Sequence, residues 1–174
     1  MNKTIAACVC ALLILVGLWQ FVTFFPDLPA RVITQQTATG EPSLVIAKAF
    51  LGAIYTVILL GGGAYFLGVG LLLHKLPERA FRILPGRDHW LAPERKAETI
   101  RSVSTHFIWL GNATLIMFVG TFQAIFKVNI DHADLNLDLI TNFLTTGYLT
   151  YIFIALLVFR NRFRTDRLPK DDGA

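Results

Sequence analysis

The sequence predicts an all-α membrane protein with four transmembrane helices. First, 54% of the 174 residues are hydrophobic, 16% are charged, and the mean hydropathy is +0.55. Second, the 16 basic and 12 acidic residues leave four windows empty, at residues 4–26, 49–74, 102–126 and 139–159. About 20 apolar residues cross a bilayer core as a helix, so each window is long enough to span a membrane.

Third, lysine and arginine are unevenly distributed between the segments that join these windows. Of the 16 basic residues, 13 lie in the N-terminus, the second loop and the C-terminal tail, against three in the other two loops. Positive residues are retained in the cytoplasm, so we expect both termini there. The same distribution accounts for the pI of about 9.3 without a nucleic-acid partner.

The four windows predict that residues 1–174 form a single membrane domain. We expect the spans at about residues 4–25, 49–74, 103–127 and 139–159. The segments outside them are an outer loop at 26–48, a cytoplasmic loop at 75–102, and a basic, partly disordered cytoplasmic tail at 160–174. Proline and glycine in the outer loop favour extended or turn backbone.

Small residues are concentrated in the second span, where Gly63, Ala64 and Gly68 are candidate packing residues. Ala64 and Gly68 form a small-xxx-small pair, which allows another helix to approach closely. We expect a packing seam within this protein; the alternative is a homodimer face.

Two amides lie in the third span, Asn112 and Gln123. They are eleven residues apart, or three helical turns, and therefore lie on nearly one face. Buried amides commonly bond across helices in lipid, so we expect them to stabilise helix packing. A lining for a polar ligand is the alternative.

The cytoplasmic loop contains two strings in which proline is followed by glutamate, a pattern typical of a helix start. The first, around Pro77, predicts a short interfacial amphipathic helix with Phe81 and Leu84 on its apolar side. The second begins at Pro93 and predicts a helix that continues unbroken into span three.

The motifs of the chain predict no catalytic site, no cofactor and no metal site. The four charge-free windows contain no carboxylate, lysine or arginine, which argues against an ion-coupled carrier. Glu94 and Arg95 could serve catalysis at the membrane face, but a helix cap and surface ion pairs explain them more simply.

Two loop strings resemble motifs of a known family. The outer loop has Leu28-Pro29-Ala30-Arg31-Val32, then Gly40-Glu41-Pro42 and Lys48, close to the pattern L-P-x-x-V-P-x-H-F, G-x-P and a lysine. The cytoplasmic loop has His89-Trp90-Leu91-Ala92-Pro93-Glu94-Arg95, close to Y-W-L-A-P-E-R. These strings resemble a family of small bacterial membrane proteins of unknown function, distantly related to immunity proteins against the sporulation-delaying toxin.

The resemblance implies a bacterial cytoplasmic membrane and, by distant kinship, peptide resistance or signalling. It makes Leu28, Pro29, Val32, Gly40 and Pro42 candidate outer-loop recognition residues, and His89, Trp90, Pro93, Glu94 and Arg95 a candidate cytoplasmic-loop motif. Ile33 and Gln35 stand where the family has proline and histidine, so this chain lacks the imidazole of the family pattern.

Three functional hypotheses follow. The leading one is a non-enzymatic accessory or regulatory partner of a larger bacterial membrane assembly, in contact with membrane lipids and a protein partner. The second is an immunity or sensor protein that recognises an extracytoplasmic peptide through residues 26–47. The third is a small membrane enzyme or lipid-handling protein that uses His89, Trp90, Glu94 and Arg95.

Overall fold

The computed structural model describes residues 2–81, 84, 86–131 and 135–164. Four helices in it are long and apolar enough to cross a membrane: α1 (Lys3–Phe24), α2 (Lys48–Lys75), α3 (Pro93–Ile130) and α4 (Leu137–Arg162). The protein is therefore a mostly helical, multi-pass membrane protein, as the charge-free windows predict. The last ten residues of the predicted disordered tail, 165–174, lie outside the described residues.

Local capping residues explain where the helices begin. The Asn2 side chain accepts a 2.9 Å hydrogen bond from the Thr4 amide at the start of α1, and Asn136 accepts one of 3.1 Å from the Leu139 amide at the start of α4. Pro93 occupies the first turn of α3. That helix has 38 residues, about 57 Å at 1.5 Å per residue, and so extends beyond a bilayer core of about 30 Å.

The backbone of α2 changes pitch near the middle of the helix. An α-helical part, Lys48–Thr56, is followed by a π-helical segment, Val57–Gly62, by α-helix over Gly63–Leu72 and by a 3-10 turn, Leu73–Lys75. A π segment inserts extra backbone into a helix and turns the residues that follow it. Buried positions occur before, within and after this segment, for example at Tyr55, Leu59 and Gly63.

The predicted outer loop forms a β-hairpin, which departs from the all-α prediction. Strands β1 (Arg31–Gln36) and β2 (Pro42–Ala47) pair in antiparallel fashion. The Gly40 amide donates a 2.9 Å bond to the Thr37 carbonyl, and Gly40 has a φ of +85°, a conformation that glycine adopts readily. The prolines and Gly40 predict extended or turn backbone, and the structure shows that this extended backbone pairs as two strands.

Side-chain amides fasten the hairpin to the bundle. Asn129 of α3 accepts from the Ile33 amide and donates to the Ile33 carbonyl, both at 2.8 Å, and so pairs with β1 as a neighbouring strand would. Gln36 accepts a 2.8 Å bond from the Leu137 amide at the start of α4. We refer to this side of the bundle, which carries β1 and β2, as the hairpin end.

The opposite side, which we call the basic end, carries the residue 75–102 loop and the end of α4. Its apolar cluster consists of the buried residues Leu73, Phe81, Leu84, Leu91 and Phe163. In place of the predicted interfacial helix, the described residues form two short turns. Glu78–Phe81 is a 3-10 turn, and Arg87–Trp90 is a short helical turn. The apolar pair Phe81 and Leu84 packs against protein, while residues 82, 83 and 85 of that prediction lie outside the described residues.

Helix α4 lies at the periphery of the bundle. Leu137 is its one fully buried residue in the part of the chain that the structure describes. It packs along α3, where the Tyr148 and Thr114 hydroxyls are 2.9 Å apart. Large apolar side chains of α4 are exposed on its outer surface, among them Leu139, Phe143, Leu149, Phe153 and Ile154. Such a surface suits contact with lipid chains or with another membrane helix.

Candidate functional site

The glycines of α2 that lie inside the bundle allow close helix contact. Gly63 is buried, and a Cβ there would lie 2.7 Å from the Ile14 Cδ1 atom of α1. Gly70 is likewise buried and packs against Ile108 of α3. Any side chain at either position would collide with the neighbouring helix, so these two glycines form the internal seam.

The prediction that Ala64 and Gly68 form a packing seam inside the protein is wrong, because both residues face outward. Ala64 is exposed, and a Cβ built at Gly68 meets no atom of the described residues within 4 Å. The same holds for Gly61. Each α-helical residue adds about 100° of rotation, so neighbours of Gly63 and Gly70 point elsewhere. Gly61, Ala64 and Gly68, spaced three and four apart, form an outward small-residue face.

The amides of α3 both face α1, which is the arrangement that their eleven-residue spacing predicts. Asn112 is fully buried and donates a 3.0 Å bond to the Ala6 carbonyl. Gln123 accepts a 2.7 Å bond from the Gln20 side chain of α1. These contacts are interhelical, as expected for amides that stabilise packing in lipid.

The sequence analysis missed the centre of this polar network. Gln20 is 1% exposed and donates to the Val119 carbonyl as well as to Gln123. The Tyr55 hydroxyl of α2 lies 2.7 Å from both the Gln20 Oε1 atom and the Gly17 carbonyl. A glutamine inside a charge-free window was the available signal, since a polar group in lipid requires a partner.

The predicted outer-loop recognition residues divide into buried and exposed groups. Leu28 and Val32 are 4% and 0% exposed and belong to the main core, so they hold the hairpin in place. Pro29 and Pro42 are exposed, and Gly40 forms the turn. A peptide could therefore touch the prolines and the turn but not the two core residues.

The cytoplasmic-loop motif forms a cap at the start of α3. Pro93 and Glu94 occupy the first turn, and Arg95 donates to the Nε2 atom of His89. The Trp90 ring packs edge-on against Phe163, 5.3 Å between centroids. Glu94 is exposed and has no hydrogen bond or ion pair within the described ranges. The structure thus joins His89 with Arg95.

A cleft that the sequence analysis missed lies between α3 and α4 at the basic end. Its volume is about 530 Å³, and its lining residues are Glu98, Arg101, Ser102, Thr105, His106, Val158, Asn161 and Arg162. Arg162 and Glu98 form a 3.2 Å ion pair across it. The i, i+4 spacing of Ser102 and His106 at the edge of the third window was a sequence signal for one wall, but α4 supplies the other.

Two lining residues carry buried polar atoms without a partner in the described structure, the Ser102 Oγ and the His106 Nε2 atoms. The Nδ1 atom of His106 lies 2.9 Å from the Ser102 carbonyl. Buried polar atoms usually have a hydrogen-bond partner, so these two mark a site that a ligand could complete. The part of the chain that the structure describes has no group of three metal-ligating side chains.

Comparison with protein-family models, with curated proteins and with solved structures gives no match. The resemblance to the small bacterial membrane proteins rests on the loop strings.

Proposed function

We propose that this protein is a non-enzymatic accessory or regulatory partner of a larger membrane assembly, located in a bacterial cytoplasmic membrane with both termini inside. The observation that supports this proposal is the pair of small-residue faces on α2. One face is filled by the chain's own helices at Gly63 and Gly70, and the other, at Gly61, Ala64 and Gly68, meets no neighbour among the described residues.

A helix from another protein could pack closely against such a face. In lipid, helix association depends on van der Waals packing rather than on burial of apolar surface from water, so small residues favour close backbone approach. The flanking side chains are tall and exposed, with Val57 69% and Tyr65 58% accessible. The small residues of this face therefore lie next to larger side chains that are also accessible to a partner helix.

The polar side chains at the centre of the bundle bond to one another, which supports a role in helix packing rather than in catalysis. The polar groups of Gln20, Gln123 and Tyr55 bond one another. The distribution of basic residues supports the orientation, because 13 of 16 lie on one side of the predicted spans.

The test compares tagged full-length variants expressed from the native locus and purified in mild detergent, with quantitative mass spectrometry of the bound membrane proteins. The variant Gly61→Leu with Gly68→Leu fills the outward face. Gly147→Leu, an exposed glycine of α4 with an open Cβ position, is the matched control. We expect a stoichiometric partner with the wild type and the control, and its loss with the double variant. Unchanged recovery with the double variant, or a homo-oligomer alone, would contradict the proposal.

The alternative of peptide recognition has one structural feature in its favour. Strand β2 is an exposed strand of the hairpin, with Leu44 and Val45 44% and 42% accessible. An edge strand can pair with an extended peptide through its free backbone groups. A Val45→Lys variant of normal abundance should then lose protection against an external peptide toxin, whereas unchanged protection would exclude β2 as the recognition element.

A further inference from the structure

The cleft at the basic end continues into an apolar groove along the same pair of helices. The groove has a volume of about 210 Å³ and is lined by Val103, His106, Phe107, Leu110, Ile152, Ala155, Leu156 and Phe159. His106 lines both cavities. The groove residues lie inside charge-free windows three and four, at membrane depth, whereas Arg101 and Arg162 lie just outside them. The combined cavity is polar at its top and apolar below.

The charge at the top of the cleft favours an anion. Arg101 is exposed, and its guanidinium has no hydrogen bond or ion pair within the described residues. Arg162 is paired with Glu98, but both side chains are exposed, at 47% and 79%, and an exposed pair of this kind is weak. Two guanidinium groups against one carboxylate therefore leave net positive charge where a headgroup would lie.

The buried polar atoms define the complementary hydrogen bonds. Ser102 is 8% exposed, and its hydroxyl can donate to a phosphate oxygen. The Ser102 carbonyl is an acceptor, so the proton of the His106 ring is on Nδ1, 2.9 Å away. When Nδ1 carries the only ring proton, the Nε2 atom is an acceptor that fits a donor such as a headgroup hydroxyl.

We propose that the cleft and groove together bind one anionic phospholipid whose headgroup carries hydroxyl groups. Arg101 and Ser102 contact the phosphate, His106 accepts from a headgroup hydroxyl, and one acyl chain occupies the groove beside Ala155 and Phe159. Basic pockets between membrane helices on the cytoplasmic side are a recurrent form of lipid headgroup site. This assignment is independent of the protein partner proposed above.

The experiment is native mass spectrometry of the delipidated full-length protein in detergent, titrated with phosphatidylglycerol or with phosphatidylcholine of the same acyl chains. We expect phosphatidylglycerol to bind about tenfold more tightly, as one charge-assisted contact would provide. Arg101→Gln should remove most of this preference, because phosphatidylcholine carries its own positive charge beside the phosphate. Ser102→Ala should weaken both lipids, because both carry the phosphate that the Ser102 hydroxyl contacts. Arg160→Gln is the matched control, because it removes an exposed charge of α4 near the same level without lining the cleft.

Two further variants separate the site from a general loss of structure. Glu98→Gln releases Arg162 and removes a negative charge, so phosphatidylglycerol should bind several-fold more tightly. Ala155→Phe fills the groove and should weaken both lipids. Equal binding of the two lipids by the wild type, or an equal effect of Arg160→Gln and Arg101→Gln, would overturn the proposal. Displacement of phosphatidylglycerol by glycerol 3-phosphate at comparable concentration would also overturn it, because the ligand would then be a soluble phosphate ester.

Discussion

Gln20 and Gln123 are 103 residues apart in the chain, and the Nε2 atom of Gln20 donates a 2.7 Å hydrogen bond to the Oε1 atom of Gln123. Through Tyr55 the same glutamine joins α2, so three of the four membrane helices meet at one buried polar point. Polar bonds of this kind in lipid contribute about 0.6 kcal/mol each on average and up to about 1.7 kcal/mol.

Replacement of this central glutamine should destabilise the bundle. Gln20→Leu removes two donated bonds and leaves Gln123 without its partner, so we expect a loss of about 1–3 kcal/mol in the free energy of unfolding. Tyr55→Phe should cost about 1 kcal/mol. Thermal unfolding in detergent measures both, with Gln35→Leu, on the exposed side of β1, as the control. Equal stability of Gln20→Leu and Gln35→Leu would show that the network contributes nothing.

Asn129 should determine whether the hairpin remains attached. Asn129→Ala removes both bonds to the Ile33 backbone, and hydrogen exchange at the Ile33 amide should accelerate by about tenfold or more. Asn142→Ala, on the exposed side of α4, provides the control. If Ile33 exchanges at the same rate in both variants, the packing of Val32 rather than the amide holds β1.

The same substitution should change the stability of the protein on one face of α2 and not on the other. Gly63→Leu and Gly70→Leu force a side chain into Ile14 and Ile108, and overpacking of this kind costs about 1–3 kcal/mol or more. Gly68→Leu, at an open position, should leave the purified monomer as stable as the wild type. Unfolding in detergent measures the difference, and a stable Gly70→Leu variant would place α2 in another rotation about its axis.

The orientation can be measured with single cysteines after Cys8 and Cys10 are replaced by alanine. Ala38→Cys lies on the hairpin and Ala97→Cys on the basic end, and both positions are exposed. The positive-inside distribution predicts that a membrane-impermeant maleimide labels Ala38→Cys in intact cells and Ala97→Cys after permeabilisation. The reverse pattern would place the termini outside.

Hydropathy alone determined the number of membrane helices and their approximate bounds. Whether a segment partitions into lipid as a helix depends on the hydropathy of its own residues and not on contacts with distant segments. Four charge-free windows were therefore sufficient to predict α1, α2, α3 and α4. Local chemistry also determined the start of α3 at Pro93, since proline is tolerated in the first helical turn. The shared direction of Asn112 and Gln123 follows from helical periodicity.

Tertiary structure decided which side of each helix meets protein. Lipid-facing and protein-facing positions are both apolar, so the sequence of α2 carries no contrast that separates Gly63 and Gly70 from Ala64 and Gly68. The sequence also did not predict how the hairpin attaches to the bundle. Asn129, which bonds to the backbone of β1, lies 96 residues away in the chain. The cleft at the basic end has walls from α3 and α4, and its unsatisfied atoms become recognisable when both walls are in place. Helix formation is a local property of the chain, whereas these sites depend on contacts between distant segments.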